Sequence, residues 1–205
     1  MSRMSRSDRG AWQAARTLAD LGELTARWLE GRIASVPGYC GTPAEETLPL
    51  VPVLARLNRA GFVTDCSQPG EIDGEYDCEQ RAAVQGYASP QVAAALIRAA
   101  ETAGLIVAAC SPDWVPRWRY GYGTSVTVTQ VNGRHFTGFG VRIPRRHIRD
   151  PHIGHGVCHP DAVKALCGAW QVTLIDPEWG RPDVLWRVLE QAIQPGRRCG
   201  TGDRS

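Results

Sequence analysis

Three groups of residues in this 205-residue chain have the types and spacing to do chemistry. The first surrounds three prolines: Asp65, Cys66, Ser67 and Gln68 before Pro69; Cys110, Ser111 and Asp113 around Pro112; Asp176, Glu178 and Trp179 around Pro177. If these segments converge, the carboxylates could act as general bases or hold a divalent cation. Asp65, Ser67, Gln68, Asp176 and Glu178 are therefore the catalytic candidates. Taken singly, each segment is also an ordinary turn, because Asp, Ser and Pro end strands through local hydrogen bonding.

The second group lies between residues 114 and 149, where seven arginines and no acid interleave with Trp114, Trp118, Tyr120, Tyr122, Phe136 and Phe139. Aromatic faces stack on bases while guanidinium groups pair with phosphate, so the segment suits a nucleotide or a nucleic-acid strand. Arg117, Trp118, Arg145, Arg146 and Trp179 are the ligand-binding candidates. A hairpin with a solvated arginine face and ordinary core aromatics has the same composition. The third group is His152, His155, Cys158 and His159, imidazoles and a thiol that suit zinc or another divalent cation. No second pair of ligand knuckles accompanies them, and Pro151, Gly154, Gly156 and Pro160 read as a polar loop. A cysteine nucleophile, Cys66 or Cys110 with one of these histidines, is a further arrangement. The chain has no GxSxG elbow, phosphate-binding loop, HExxH or dinucleotide fingerprint.

The elements that must position these groups follow a recurring unit of helix, glycine, short apolar strand and proline turn. It spans 48–70 with Gly61 and Pro69, 90–114 with Gly104 and Pro112, and 161–180 with Gly168 and Pro177. Glycine ends each helix through left-handed φ, and the apolar runs 62–66, 105–110 and 171–175 read as strands buried on both faces. This predicts an α/β fold with a mostly parallel or mixed central sheet flanked by helices, and the three turns at one carboxyl edge, where open α/β sheets bind ligands. Residues 79–88 read as a strand beside 62–66. Residues 125–131 and 135–143 read as a β-hairpin inserted around Asn132-Gly133. An amphipathic helix spans 10–33, broken near Gly22, and a last helix spans 182–193. The expected domains are an N-terminal helical arm (1–36), an α/β domain (37–194) and a disordered tail (195–205).

With 43% apolar and 21% charged residues, the composition excludes collagen-like and intrinsically disordered chains. The net charge of +2 conceals segregation, since residues 41–80 hold eight acids against two arginines while 114–149 are purely basic. Seven cysteines without a CxxC pair, no apolar leader in the first 30 residues and no long apolar run predict a cytoplasmic protein with reduced thiols and no membrane partner.

The stretches Pro37-Gly38-Tyr39, Glu45-Glu46-Thr47, Leu57 to Thr64, Ser67-Gln68-Pro69-Gly70 and Gln80 to Val84, with Asp176 to Arg181, resemble an uncharacterised domain family of actinomycetes and their mobile elements. About half of the chain carries the resemblance. It implies a cytoplasmic actinobacterial protein and brings no activity with it. Two functional expectations stand: a site for a phosphate-bearing ligand at the sheet's carboxyl edge, or a non-enzymatic protein- or nucleic-acid-binding module using the basic hairpin and the N-terminal helix.

Overall fold

The computed structural model describes residues 4–113, 125–153 and 157–194. The N-terminal amphipathic stretch forms two helices, α1 (Arg6–Ala14) and α2 (Leu18–Leu29). They part at residues 15–17 rather than at Gly22, because Thr17 caps α2 reciprocally. Its hydroxyl accepts from the Asp20 N–H, and the Asp20 carboxylate accepts from the Thr17 N–H. Gly22 remains helical and serves packing: a Cβ there would lie 2.3 Å from the Asn58 carbonyl oxygen. Instead of standing off as an arm, these helices bury Trp12, Leu21 and Leu24 with Val63 and Tyr87 of the central sheet.

After α2 the chain forms a small hairpin, β1 (Ser35–Val36) and β2 (Tyr39–Cys40). A 3-10 turn (Glu45–Leu50) leads into α3 (Val51–Arg59), and Gly61, with φ of 94°, turns the chain into β3 (Phe62–Gln68). There follow β4 (Ile72–Asp73), β5 (Cys78–Ala88), α4 (Pro90–Thr102) and β6 (Ile106–Cys110). The Asn132-Gly133 turn joins β7 (Val126–Val131) to β8 (Arg134–Phe139) with positive φ at both residues, as the sequence predicts. The outgoing strand stops at Phe139, and the Gln171 side chain instead pairs with the N–H and C=O of Ile143. Residues expected as a histidine-rich loop belong in part to α5 (Arg145–Ile153), followed by α6 (Pro160–Cys167), β9 (Trp170–Trp179) and α7 (Val184–Ile193). β9 runs through Pro177, so Asp176–Trp179 ends a strand rather than forming a turn; a register shift opposite Arg81 and Ala83 accommodates the proline.

The expectation of a mostly parallel sheet is corrected: every strand pairing among the described residues is antiparallel. The main sheet runs β6-β9-β5-β7-β8, with β3 and β4 also paired to β5. The helix-glycine-strand unit folds each helix back on the strand it feeds, whichever way the neighbouring strand points. Burial on both faces, which suggested parallel strands, arises because helices cover an antiparallel sheet. Phe62, Val84, Val172 and Leu174 pack on one face with Leu54 and Leu57 of α3, Leu96 of α4 and Leu185 of α7. Val63 and Tyr87 face the other way, toward α1, α2 and α6.

The topology decides where the proline segments go. β3 and β9 both run antiparallel to β5, so Gln68 (opposite Ala83) and Trp179 (opposite Arg81) reach the same end of the sheet. β6 runs antiparallel to β9 and places Cys110 opposite Gln171, at the other end.

Candidate functional site

At the end where β3 and β9 finish, the predicted catalytic residues are engaged in holding the chain together. Gln68 fills the gap between β5 and β7: its Nε2 donates to the Arg81 and Val128 carbonyls at 2.9 and 2.8 Å, and its Oε1 accepts from Thr129 Oγ1 at 3.1 Å. Pro69 and Gly70 then carry the chain across β5, where the Gln80 carbonyl accepts from both the Glu71 and Gly180 N–H groups. Asp176 is fully buried and accepts from Arg181 and from the Glu178 N–H. Glu178 pairs with Arg181 at 2.8 Å, and Trp179 lies 4.2 Å beneath the Arg81 guanidinium. Ser67 pairs with Val84.

The remaining candidates are not brought to this end. Arg145 and Arg146 are exposed at the start of α5, where Arg145 donates to the Pro112 carbonyl beyond β6 and Arg146 to His147. Arg117 and Trp118 lie outside the described residues, as do His155 and the tail. The His159 Nδ1 accepts from the Asp161 N–H at the start of α6, and burial pushes the Cys158 thiol up to about 12, far from the thiolate that zinc requires. Among the described residues no group of three or more His, Cys, Asp or Glu is placed to hold a metal ion. The Cys66 and Cys110 thiols are also raised, both mainly by desolvation, with the Asp65 charge adding to the effect at Cys66; neither is an activated nucleophile.

Of the predicted carboxylates, Asp65 opens onto a cavity. A hollow of about 320 Å³ lies between α1, α2, the β1–β2 hairpin, β3, β5 and α6. That is the low end of the roughly 300–1,000 Å³ typical of small-molecule sites. Its walls are mostly apolar and aromatic: Trp12 and Trp28 from the helices, Tyr39 and Pro37 from the hairpin, Val63 and Tyr87 from the sheet. The ladder between β3 and β5 shifts register between Thr64 and Cys66, leaving Asp65 as the extra residue of a β-bulge. Bulges of this kind re-aim a side chain. Gly86, opposite Thr64, makes the close approach of the two strands feasible, since a Cβ there would meet the Val63 oxygen at 2.3 Å. The fully buried Asn58 pins the same stretch, donating to the Leu54 carbonyl and Thr64 Oγ1 and accepting from the Thr64 N–H.

A family model for a domain of unknown function, DUF6919, matches residues 7–195. The chain belongs to that family. The match runs from within α1 to the end of α7, so it includes the N-terminal helices that wall the cavity. No curated protein matches the chain. Within the domain, the Ser-Gln-Pro-Gly and Asp-Pro-Glu-Trp-Gly-Arg motifs meet each other: a Cβ on Gly70 would lie 2.2 Å from the Arg181 carbonyl oxygen. Sequence reasoning missed Trp12, Trp28, Tyr39 and Tyr87 as site residues, because aromatics at helical and strand spacing read as core. The one available signal was Asp65, the single charge in β3.

Proposed function

We propose that this domain is a non-enzymatic binding module whose ligand is a small, largely apolar molecule held in the cavity under the N-terminal helices and the β1–β2 hairpin. The observation that carries the reading is the bulge at Asp65, which places a single carboxylate beside an aromatic-walled hollow of about 320 Å³. The engagement of Gln68 and Asp176 in structural hydrogen bonds supports binding over catalysis. A reducing, cytoplasmic setting is supported by the six described cysteines, all free thiols. No helix among the described residues is long and apolar enough to cross a membrane.

The test is calorimetric titration with indole, a neutral aromatic, against wild type and Val36→Trp. Val36 is half-buried on the hairpin, and a tryptophan there would fill the cavity without entering the main sheet. Binding in wild type that is lost in the folded variant supports the reading. Equal binding in both overturns it.

A second reading, an anionic ligand such as a nucleotide or nucleic acid, is supported by α5. Arg145, Arg146 and Arg149 are exposed there and enter no ion pair among the described residues. Binding of a single-stranded oligonucleotide that weakens steeply with salt, and is lost in Arg145→Glu/Arg146→Glu, supports it. Absence of binding at low salt overturns it.

A further inference from the structure

The cavity's polar groups are unequally divided between donors and acceptors, and the imbalance selects the ligand's charge. Both tryptophans that wall it have their only donor engaged. Trp12 Nε1 donates to the Ser35 carbonyl at 2.9 Å and Trp28 Nε1 to the Gly41 carbonyl at 2.8 Å, so each presents π surface and not an N–H. The Thr25 hydroxyl donates to the Leu21 carbonyl, and the Tyr39 hydroxyl to the Thr42 carbonyl. Only the Tyr87 hydroxyl has no hydrogen-bond partner among the described residues. Among the described residues the lining contains no arginine, lysine or histidine. Thr64 Oγ1 accepts from Asn58 Nδ2, which leaves its O–H as a second donor. Against these two hydroxyls stands the Asp65 carboxylate, whose one side-chain partner is the Gln85 amide at 3.3 Å. An ionised carboxylate has about four acceptor positions, and Asp65 is exposed, so most of its capacity is left free beside the cavity.

We infer that the ligand is an aromatic organic cation, a ring carrying a short ammonium-bearing arm, with the ring among Trp12, Trp28 and Tyr87 and the ammonium at Asp65. This rests on the cavity being the ligand site. The ring is placed by the aromatic walls, on which it stacks, and the charge by Asp65, the single formal charge on the lining among the described residues. An anion would meet that carboxylate with no cation among the described lining residues to offset it. Space is consistent with one ring and an arm, because an apolar void of about 150 Å³ already holds benzene. Trp28 and Tyr39 meet edge to face, with centroids 6.2 Å apart and planes at 86°, so the hairpin contributes a wall set against that of α2.

The hairpin belongs to the site for a structural reason. Trp12 and Trp28 both bond to its backbone or to the residue that follows it, which couples the aromatic walls on α1 and α2 to the position of Tyr39. A bound cation therefore touches groups from four segments distant in the sequence.

Calorimetry with three probes of matched shape tests the charge. These are 2-phenylethylammonium, 2-phenylethanol and 3-phenylpropanoate, titrated into the full chain and into Asp65→Asn at neutral pH. The cation is expected to bind wild type about tenfold more tightly than the alcohol, the size of one charge-assisted hydrogen bond, and the carboxylate not measurably. In Asp65→Asn the cation should fall to the level of the alcohol, while the alcohol's affinity stays within about twofold and shows that the variant is folded. A cation that binds no better than the alcohol, or a preference that survives Asp65→Asn, overturns the charge assignment. If indole binding is at the same time lost in Val36→Trp, the cavity remains the ligand site and only the charge assignment fails. If neither indole nor any of the three probes binds, both proposals fail together.

Discussion

Arg181 grips the fully buried Asp176 carboxylate side-on, with Nε 2.8 Å from one oxygen and Nη2 2.7 Å from the other. The pair closes the end of β9 over the point where Pro69 and Gly70 cross β5. It commits Asp176, one of the catalytic candidates of the sequence, to a buried ion pair. Asp176→Asn should lower the unfolding free energy by about 2–3 kcal/mol, the magnitude of a lost charge-assisted bond. Arg187→Met, which removes an exposed i,i+4 pair with Asp183, should change it by less than about 1 kcal/mol. Urea melts of the two variants check this, and equal effects would contradict the structural role.

Gly70→Ala should destabilise through backbone contact. Its Cβ would stand 2.2 Å from the Arg181 oxygen and 3.1 Å from the Ala82 nitrogen, and neither backbone atom can move without disturbing β5 or β9. A loss of at least about 1–3 kcal/mol is expected, as for other overpacked positions. Gly10→Ala in α1, where a Cβ meets nothing within 4 Å, should stabilise by about 0.5–1 kcal/mol. Thermal melts that rank the two variants the other way would refute the contact.

Burial, reinforced by the charge of Asp65 and by Cys167, holds the Tyr87 hydroxyl well above the usual phenol range. Its acidity is thus weaker in the folded chain than in the unfolded one. The stability this confers is whole below the unfolded value near 10 and declines as pH rises beyond it. Between pH 9 and 11 wild type should lose stability relative to Tyr87→Phe, approaching about 1.4 kcal/mol per pH unit above 10. Parallel urea titrations of the two proteins measure the difference. No divergence would show that Tyr87 titrates normally, in contact with water.

Thiol reagents should separate the cysteines by environment. Cys40 is exposed on the hairpin, whereas Cys158 and Cys167 are buried. Cys40 should react first with a disulfide reagent at neutral pH, and Cys158, with its raised pKa, only on unfolding. Peptide mapping of the labelled protein identifies the sites. Early modification of Cys158 would contradict the packing around α6.

The strand and helix positions were largely legible because they depend on local signals. Gly61 and Gly104 adopt the positive φ that a helix stop needs, and Asn132-Gly133 the turn that a two-residue hairpin needs. Strand direction was not legible, because Ala83 and Val84 are buried on opposite faces of β5 whether its neighbours run parallel or antiparallel. The Thr17–Asp20 cap was present in the sequence, yet Gly22 carried the more obvious breaking signal and is instead a packing residue. Of the candidate carboxylates, Asp65 reached a cavity while Asp176 did not. The difference lies in one register shift, which a linear pattern does not contain, and in Arg181, present in the sequence five residues on but paired with Asp176 only by the fold.

The central claim, that the cavity beneath the hairpin is the ligand site, is tested most directly by methyl-resolved NMR during titration with an aromatic probe. The methyl groups of Leu21, Val36, Val63 and Leu166 line the cavity, whereas Leu57, Leu96 and Leu189 are buried in the core on the other face of the sheet. Saturable shifts confined to the first set are the predicted result. Shifts centred on the second set or on the basic start of α5, with the cavity methyls unmoved, would contradict it.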